Sequence, residues 1–268
     1  MEDHHRQLLS AGNPSCTKLS DRKKESEREF FDNNKGYTAR RRLVGRLLDG
    51  YTCWEELFKA AGDIRDKTVL DLGCGEGYLS RLLAIKGAAK VVGIDISSER
   101  IKLAAMLAKN EDLKNVEHVC CDAEHIPMQD KSFDIVLGTA ILHHLDIEKT
   151  LKEIHRVLKP TGRAVFAEPL GHNIFINLFR MFTPKLRTKD EHPIVRQDIV
   201  NANRYFKVDF IPPHLISMVF IPFNLIMPRS TRLFMLRCLF AIDRGIFRLL
   251  PASRFHARYG VIWFEKQV

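Results

Sequence analysis

The spacing of hydrophobic and polar positions changes near residue 66. From there to about residue 170, short apolar runs alternate with segments whose apolar residues recur every three or four positions. The runs TVLDLG, VVGIDIS, VEHVCCDA, FDIVLGTA and RAVFAEPL predict strands, and GYLSRLLAIKG, SERIKLAAMLAKNEDL and IEKTLKEIHRVLKPTG predict helices. Such alternation is typical of a mainly parallel sheet with helices on both faces, so we expect an α/β fold.

The segments on either side of this core follow other patterns. Residues 1–27 are polar and mixed in charge, which predicts a flexible terminus. Residues 28–65 have apolar positions at helical spacing, and they predict an N-terminal helical cap that ends at Gly62. Residues 171–268 begin irregularly and then contain two more predicted strands, NRYFKVDFI and YGVIWFEKQV. The chain is therefore divided after residues 27, 65 and 170.

The segment 211–250 is a predicted insertion between those last two strands. Phe210 to Pro228 contains no formal charge, but its four prolines argue against a helix that spans a bilayer. Beyond it, Arg237, Arg244 and Arg248 are spaced to share one helical face, while apolar residues occupy other faces (Leu233, Leu236, Phe240 and Phe247). This pattern predicts a helix that lies on an anionic membrane surface, or a lid or dimer face with solvated arginines.

The net charge of +9 is concentrated in the C-terminal third of the chain. Residues 180–268 hold 15 Lys and Arg against 6 Asp and Glu, which accounts for the whole excess. A uniformly basic protein would indicate nucleic acid, but here the basic third is also strongly apolar. The six cysteines form no C-x-x-C pair and no signal peptide is evident, so we expect a reducing, cytoplasmic setting without a metal site.

A glycine-rich loop is the sharpest motif in the chain. In V-L-D-L-G-C-G-E-G-Y-L a predicted strand leads into Gly73, Gly75 and Gly77, and a predicted helix follows. Glycines permit a tight turn, and the helix start offers free N–H groups to a ligand. The spacing matches neither the G-x-G-x-x-G dinucleotide motif nor a P-loop. Asp71 would repel a pyrophosphate, and Asp95 at the next strand end suits ribose hydroxyls.

Five motifs, in order over about residues 66–170, resemble those of the class I S-adenosylmethionine-dependent methyltransferases. They are DLGCGEG, VGIDIS, CDAEHIP, FDIVLGTAILHHL and LKPTGRAVFAEP, and they are most similar to those of the type-11 group that includes the ubiquinone and menaquinone methyltransferases. The resemblance implies a Rossmann-like fold, S-adenosylmethionine as cofactor and methyl transfer. It also implies that residues 171–268 form an acceptor-binding and lid region.

The same resemblance implies roles for individual residues. Gly73, Cys74, Gly75 and Gly77 would line the methionine portion of the cofactor, with Asp71 near its amino group. Asp95 would hold the ribose and Ile96 would contact the adenine. Asp122 would face the adenine amino group, with Ala123 beside it, and Thr139 would approach the sulfonium. Tyr37 and Arg40 belong to the helix that covers the cofactor in similar enzymes. From the residues alone, Asp95 could instead cap a helix and Asp122 could be a turn residue.

A hydroxyl or phenol acceptor also needs a general base. The candidates near the predicted strand ends are His143, His144, Glu168 and, in the charged stretch RTKDEHP, His192. Because adjacent side chains point in different directions, we expect only one of His143 and His144 to face the pocket.

Three functions are consistent with these observations. The favoured one is methylation of a small lipophilic acceptor, through O- or C-methylation, with the protein peripheral to a membrane. The second is methylation of nucleic acid, which the interleaving of Arg with Leu, Phe and Met argues against. The third is a related protein that uses the cofactor for another group transfer or only binds it. The oligomeric state is left open.

Overall fold

The computed structural model describes residues 53–174, 191–217 and 227–266 together with ten residues outside these ranges. Those ten are Lys24, Glu25, Arg28, Glu29, Asp32, Asn177, Leu178, Met181, Phe220 and Phe223. The greater part of the predicted cap, residues 28–65, therefore lies outside the described residues.

One seven-stranded sheet forms the centre of the molecule. Its strands are β1 (Thr68–Leu72), β2 (Lys90–Asp95), β3 (Val116–Cys120), β4 (Phe133–Thr139), β5 (Leu158–Pro169), β6 (Phe206–Ile211) and β7 (Tyr259–Lys266). They pair in the order β3-β2-β1-β4-β5-β7-β6. The first five strands are parallel, and β7 runs antiparallel between β5 and β6. The prediction of a Rossmann-like, mainly parallel α/β fold is confirmed.

Helices connect and flank these strands. They are α1 (Trp54–Ala61), α2 (Tyr78–Ile85), α3 (Ser98–Asn110), α4 (Ile147–Val157), α5 (Arg196–Ala202) and α6 (Arg229–Leu249), with short 3₁₀ turns at Leu142–His144 and Pro251–His256. The ends follow local chemistry: Ser97 caps α3 by accepting from the Arg100 N–H, and Gly62 ends α1 with a φ of 76°. Helix α5 was not predicted, because its seven residues follow a proline-containing, irregular stretch.

Both faces of the sheet are buried. Leu70 and Leu72 pack into one apolar cluster with Phe166 and Phe206, whereas Val69, which directly precedes Leu70, packs into the opposite cluster. The alternation follows from the two-residue period of a strand, and burial of both faces explains the continuous apolar runs of the sequence.

The start of β5 differs from the prediction. The stretch L-K-P-T-G was expected to close helix α4, but the helix ends at Val157 and the strand begins at Leu158. The register with β4 shifts between Phe133 and Ile135. This irregularity accommodates Pro160, which has no N–H to donate to a ladder.

The N-terminal segment also departs from the prediction at one point. Lys24 lies within the part expected to be flexible, yet it is helical and only 11% of its side chain is exposed. Its ammonium contacts the carboxylates of Asp122 at 2.5 Å and Glu124 at 2.6 Å. Burial alone would lower the pKa of Lys24, but the bonds to these two carboxylates outweigh it and raise that pKa. The boundary at residue 27 therefore does not hold for Lys24.

The insertion before β7 contains helix α6, as the sequence predicted. Its inward face carries Leu236, 1% exposed, and Asp243, 0% exposed. The Asp243 carboxylate accepts from the backbone N–H groups of Leu215, Ile216 and Ser217 at 2.8–3.3 Å, and from the Ser217 hydroxyl at 2.6 Å. This carboxylate fixes α6 to the chain that follows β6, and it determines which face of the helix points outwards.

None of the helices in the described part of the chain combines the length and the apolarity that crossing a bilayer would require.

We expect Asp243→Asn to lower the free energy of unfolding by about 2 kcal/mol or more, because an amide loses the charge and turns one acceptor into a donor among N–H groups. Urea unfolding would measure this change. The matched control is Glu148→Gln, which removes the same charge from an exposed ion pair with Lys152 and should change the free energy of unfolding much less. Equal effects of the two substitutions would contradict the anchoring role of Asp243.

Candidate active site

A cleft of about 880 Å³ opens at the carboxyl ends of the parallel strands. Strands β1, β2 and β4 end at this edge, where ligands bind in open parallel sheets. The volume falls in the range usual for small-molecule sites. Eight of the predicted cofactor-binding residues line the cleft: Gly73, Cys74, Gly75, Asp95, Ile96, Asp122, Ala123 and Thr139.

The glycine loop after β1 forms one wall of the cleft. Gly73 has a φ of 70°, and a Cβ atom there would stand 2.5 Å from the side chain of Ile141. A side chain at this position is therefore excluded by conformation and by space. The Cys74 N–H donates to the Ile94 carbonyl at 2.8 Å, and the Gly75 N–H donates to Asp95 Oδ2 at 2.9 Å. The loop is thus bonded to the end of the neighbouring strand β2.

Asp95 stands at that strand end with both oxygens engaged by backbone. Its Oδ1 accepts from the Ser97 N–H at 2.9 Å. The residue that caps helix α3 is Ser97 and not Asp95. Burial raises the pKa of Asp95, and the Ser97 and Gly75 N–H groups and the nearby Arg100 oppose that rise. Each carboxylate oxygen has a second lone pair, so Asp95 can still accept from ribose hydroxyls.

Asp122 follows β3 and combines a turn with a place in the cleft. Its Oδ1 accepts from the Glu124 N–H at 2.9 Å, which is an Asx-type turn, and its Oδ2 contacts Lys24. Sequence reasoning missed both Lys24 and Glu124 as cleft residues. Lys24 is 98 residues from Asp122 in the chain, and no local pattern marks it.

A histidine and a buried glutamate form one end of the cleft. Nδ1 of His143 lies 2.7 Å from Oε2 of Glu168, and the other oxygen of Glu168 accepts from the N–H groups of Ile141 at 2.8 Å and Leu142 at 2.9 Å. An ionised Glu168 makes Nδ1 the protonated nitrogen, which leaves the Nε2 lone pair of His143 as the acceptor. Glu168 itself is fully buried and lies behind the cleft wall.

Both histidines of the H-H pair line the cleft. Their rings are 4.2 Å apart, centroid to centroid, within the 3₁₀ turn Leu142–His144. The expectation that only one of them would face the pocket is therefore wrong. The tight turn curves around the cleft, so neighbouring side chains point into the same space.

The structure places His192 elsewhere. Its Nε2 lies 3.4 Å from Asp198, its side chain is 57% exposed, and it does not line the cleft. Its neighbour Glu191 lines the cleft instead.

Two residues of the glycine motif, Asp71 and Gly77, do not line the cleft. Asp71 is 1% exposed and accepts a 2.5 Å hydrogen bond from the Ser80 hydroxyl of α2. Burial raises the pKa of Asp71 to about 7, against the opposing effect of the Ser80 bond. The predicted Tyr37 and Arg40 lie outside the described residues.

Comparison with known proteins identifies the family. Residues 70–166 match the family model described as "Methyltransferase domain". A demethylmenaquinone methyltransferase of Chlorobaculum tepidum is 30% identical over 67% of this chain and 77% of the relative. A demethylmenaquinone methyltransferase of Lactococcus lactis subsp. lactis is 32% identical over 58% of this chain and 62% of the relative. In that second match the chain spans less than two thirds of the relative's length.

A solved structure shows the same fold at low identity. The geranyl diphosphate C-methyltransferase from Streptomyces coelicolor A3(2) superposes with a TM-score of 0.60 at 13% identity, covering 93% of this chain and 99% of that chain. The chain belongs to the class I S-adenosylmethionine-dependent methyltransferases, as the motifs predicted. The cofactor of this family fits the cleft, which is lined by the backbone of Gly73 and Gly75 and by the carboxylates of Asp95 and Asp122 near two strand ends.

The pKa of Asp71 predicts a pH-dependent loss of stability. The unfolded carboxyl titrates near 3.8 and the folded one near 7, so between these values the folded chain holds a proton that the unfolded chain has released. The contribution of Asp71 to the free energy of unfolding therefore falls as pH rises from about 4 to about 7. We expect wild type to lose up to about 4 kcal/mol relative to Asp71→Asn over this range.

Urea unfolding at several pH values would measure that difference. Asp134→Asn is the control, because burial would raise the Asp134 pKa but the bonds from Lys159 and the Thr68 N–H lower it. The stability that Asp134 contributes is lost only as pH falls below its ordinary value of 3.8, so its difference from wild type should stay flat across the range. If the difference in free energy of unfolding between wild type and Asp71→Asn does not change with pH, the pKa of the buried Asp71 carboxyl is not raised.

Proposed function

We propose that the protein transfers a methyl group from S-adenosylmethionine to a small lipophilic acceptor, at an oxygen or an activated carbon. The observation that carries this proposal is His143, which lines the same cleft as the glycine loop and the strand-end carboxylates and is held by Glu168 behind the cleft wall. A cofactor cradle and an oriented proton acceptor on one edge of the sheet are the two parts that such a reaction requires.

The cofactor is proposed to lie along the edge formed by β1, β2 and β3. Gly73, Cys74 and Gly75 would contact its methionine portion, and Asp95 would accept from the ribose hydroxyls. Ile96 would pack on the adenine. Asp122 and Ala123 would face the adenine edge, with Lys24 close by, and Thr139 would lie toward the sulfonium. Asp71 would act on the loop from behind, through Ser80, since it is buried away from the cleft.

The cofactor supplies a methyl group on a good leaving group, so the protein has to align the acceptor and exclude water. Nε2 of His143 would take the proton of an acceptor hydroxyl. Glu168 would hold the imidazole in the required tautomer and stabilise the imidazolium that results. For a carbon acceptor, the same pair would polarise a hydroxyl on the ring that is methylated.

An apolar acceptor would suit the side chains around the mouth of the cleft. Trp54, Tyr78, Ile141, Leu145 and Tyr259 all line it, and the Trp54 and Tyr78 rings are 5.7 Å apart. Tyr78 is 60% exposed, which leaves its ring available to a ligand. Relatives named for demethylmenaquinone and for ubiquinone biosynthesis are consistent with a quinone-like acceptor.

Helix α6 supports delivery of such an acceptor from a membrane surface. Its exposed side carries Phe234, Ile242 and Leu249, which are 65%, 51% and 82% exposed. Spacings of eight and seven residues place these three on one face, and the exposed Arg237, Arg244 and Arg248 form a stripe along its flank. Apolar side chains beside a basic stripe suit an anionic bilayer surface.

The acceptor class can be tested with methyl-labelled cofactor. We expect the protein to label a component of a lipid extract, but neither a polar extract nor RNA, and we expect Asp95→Asn to bind the cofactor at least tenfold more weakly. Label appearing in RNA alone would establish the nucleic-acid alternative. Cofactor binding without any labelled product would contradict methyl transfer.

The role of His143 can be tested with variants of the same protein. We expect His143→Ala to lower kcat by about 10²–10⁴-fold, with cofactor affinity unchanged, because a general base contributes that much to proton transfer. His192→Asn serves as the control, since that histidine faces Asp198 outside the cleft. A comparable loss of kcat in the two variants would contradict the assignment.

The membrane contact predicts sedimentation with anionic vesicles. We expect wild type to sediment with phosphatidylserine-containing liposomes and less with neutral ones. Replacing Arg237, Arg244 and Arg248 by Glu should abolish this binding. A triple Lys variant at the same positions should retain it. If wild type stays in the supernatant and the Glu variant methylates membrane-borne substrate fully, α6 is only a lid.

A further inference from the structure

Three side chains with metal-ligand chemistry converge at the acceptor end of the cleft. His143, His144 and Glu191 each offer one donor atom, and these three atoms lie within 4.8 Å of one another. Two imidazole nitrogens and one carboxylate oxygen form a set that suits Zn²⁺, Co²⁺ and similar divalent transition metals. We propose that these three residues bind one such ion.

The backbone holds the two parts of this cluster together. The His192 N–H donates to the His143 carbonyl at 2.7 Å, so the residue next to Glu191 is bonded directly to the histidine turn. Further along, the Ile194 N–H donates to the Pro169 carbonyl at 3.0 Å, and the Gly171 N–H donates to the Ile194 carbonyl at 2.9 Å. Glu191 is thereby fixed beside two histidines that lie 47 or more positions earlier in the chain.

Glu168 supplies the support that metal-binding histidines usually have. Its contact with Nδ1 of His143 leaves Nε2 as the donor atom, and a carboxylate behind a ligating imidazole fixes the ring and increases its basicity. The site therefore contains a ligand that is already oriented. The carboxylates of Glu191 and Glu168 also place negative charge around the position of the cation.

Small side-chain movements would complete the coordination. Zinc–nitrogen bonds are about 2.0–2.1 Å, so donor atoms around one ion are roughly 3–4 Å apart. His143 is buried and held by Glu168, whereas His144 and Glu191 are half-buried. Three protein ligands leave a fourth position, which would open into the cleft and accept an oxygen from water or from a bound molecule.

The proposed ion would use the same nitrogen as the proposed proton transfer. The lone pair on Nε2 of His143 can bind a metal or a proton, but not both. The metal site stands on the ligand geometry alone and does not depend on methyl transfer. If both proposals hold, the metal-bound protein should be unable to use His143 as a base, and added Zn²⁺ should inhibit.

Calorimetric titration of the full, chelator-treated chain with Zn²⁺ would test the site. The sequence contains one other adjacent histidine pair, His4–His5, so the background should carry His4→Ala and His5→Ala. We expect one ion per chain, and at least tenfold weaker binding in Glu191→Gln and in His144→Ala. His256→Ala, which removes an exposed histidine elsewhere, should bind as the background does.

Two further measurements separate the possible failures. Titration with Co²⁺ should give ligand-field absorption that Glu191→Gln alters, and S-adenosylmethionine binding should confirm that each variant is folded. Absence of stoichiometric binding, or equal affinity in all variants, would overturn the metal site while leaving methyl transfer untouched. Zinc binding by a protein that labels no lipid would overturn the proposed function alone.

Discussion

The end of the cleft that contains His143 depends on a single buried carboxylate. Glu168 is 0% exposed and accepts from the Ile141 N–H, the Leu142 N–H and Nδ1 of His143. A buried charge is tolerated only when donors replace the water it has lost, and here three donors do so. Because two of them are backbone groups of the turn after β4, the carboxylate ties that turn to the end of β5. The position of His143 is a consequence of this tie.

The parallel sheet explains why distant residues meet in one cleft. Strands β1, β2 and β4 end at the same edge, so Gly75, Asp95 and Thr139 become neighbours although they are far apart in the chain. The bond from the Gly75 N–H to Asp95 closes the gap between two of these strand ends. The cofactor motifs therefore lie in the β1–β4 half of the sheet, whereas the end of the cleft that contains His143 depends on turns and on the segment after residue 190.

Sequence patterns predicted the parts that local rules determine. The seven strands and the glycine loop follow from period and turn chemistry, and all are present. The predictions that failed concern where a side chain points and which segments far apart in the chain come into contact. Asp71 is bonded to Ser80 away from the cleft, and Glu191 rather than His192 lines it. Lys24 and Glu191 enter the site through contacts with distant segments, which no local period encodes.

Helix α6 buries a carboxylate and exposes large apolar side chains. The hydrogen bonds of Asp243 account for this arrangement. The face towards the protein includes the buried Asp243, whose four hydrogen bonds leave no freedom to rotate the helix. Phe234, Ile242 and Leu249 consequently remain in water, although burying three such side chains would stabilise a complex by roughly 3–6 kcal/mol. Each flanking arginine near an anionic surface would add about 1 kcal/mol. These magnitudes suit the reversible contact with a bilayer surface that is proposed for this helix.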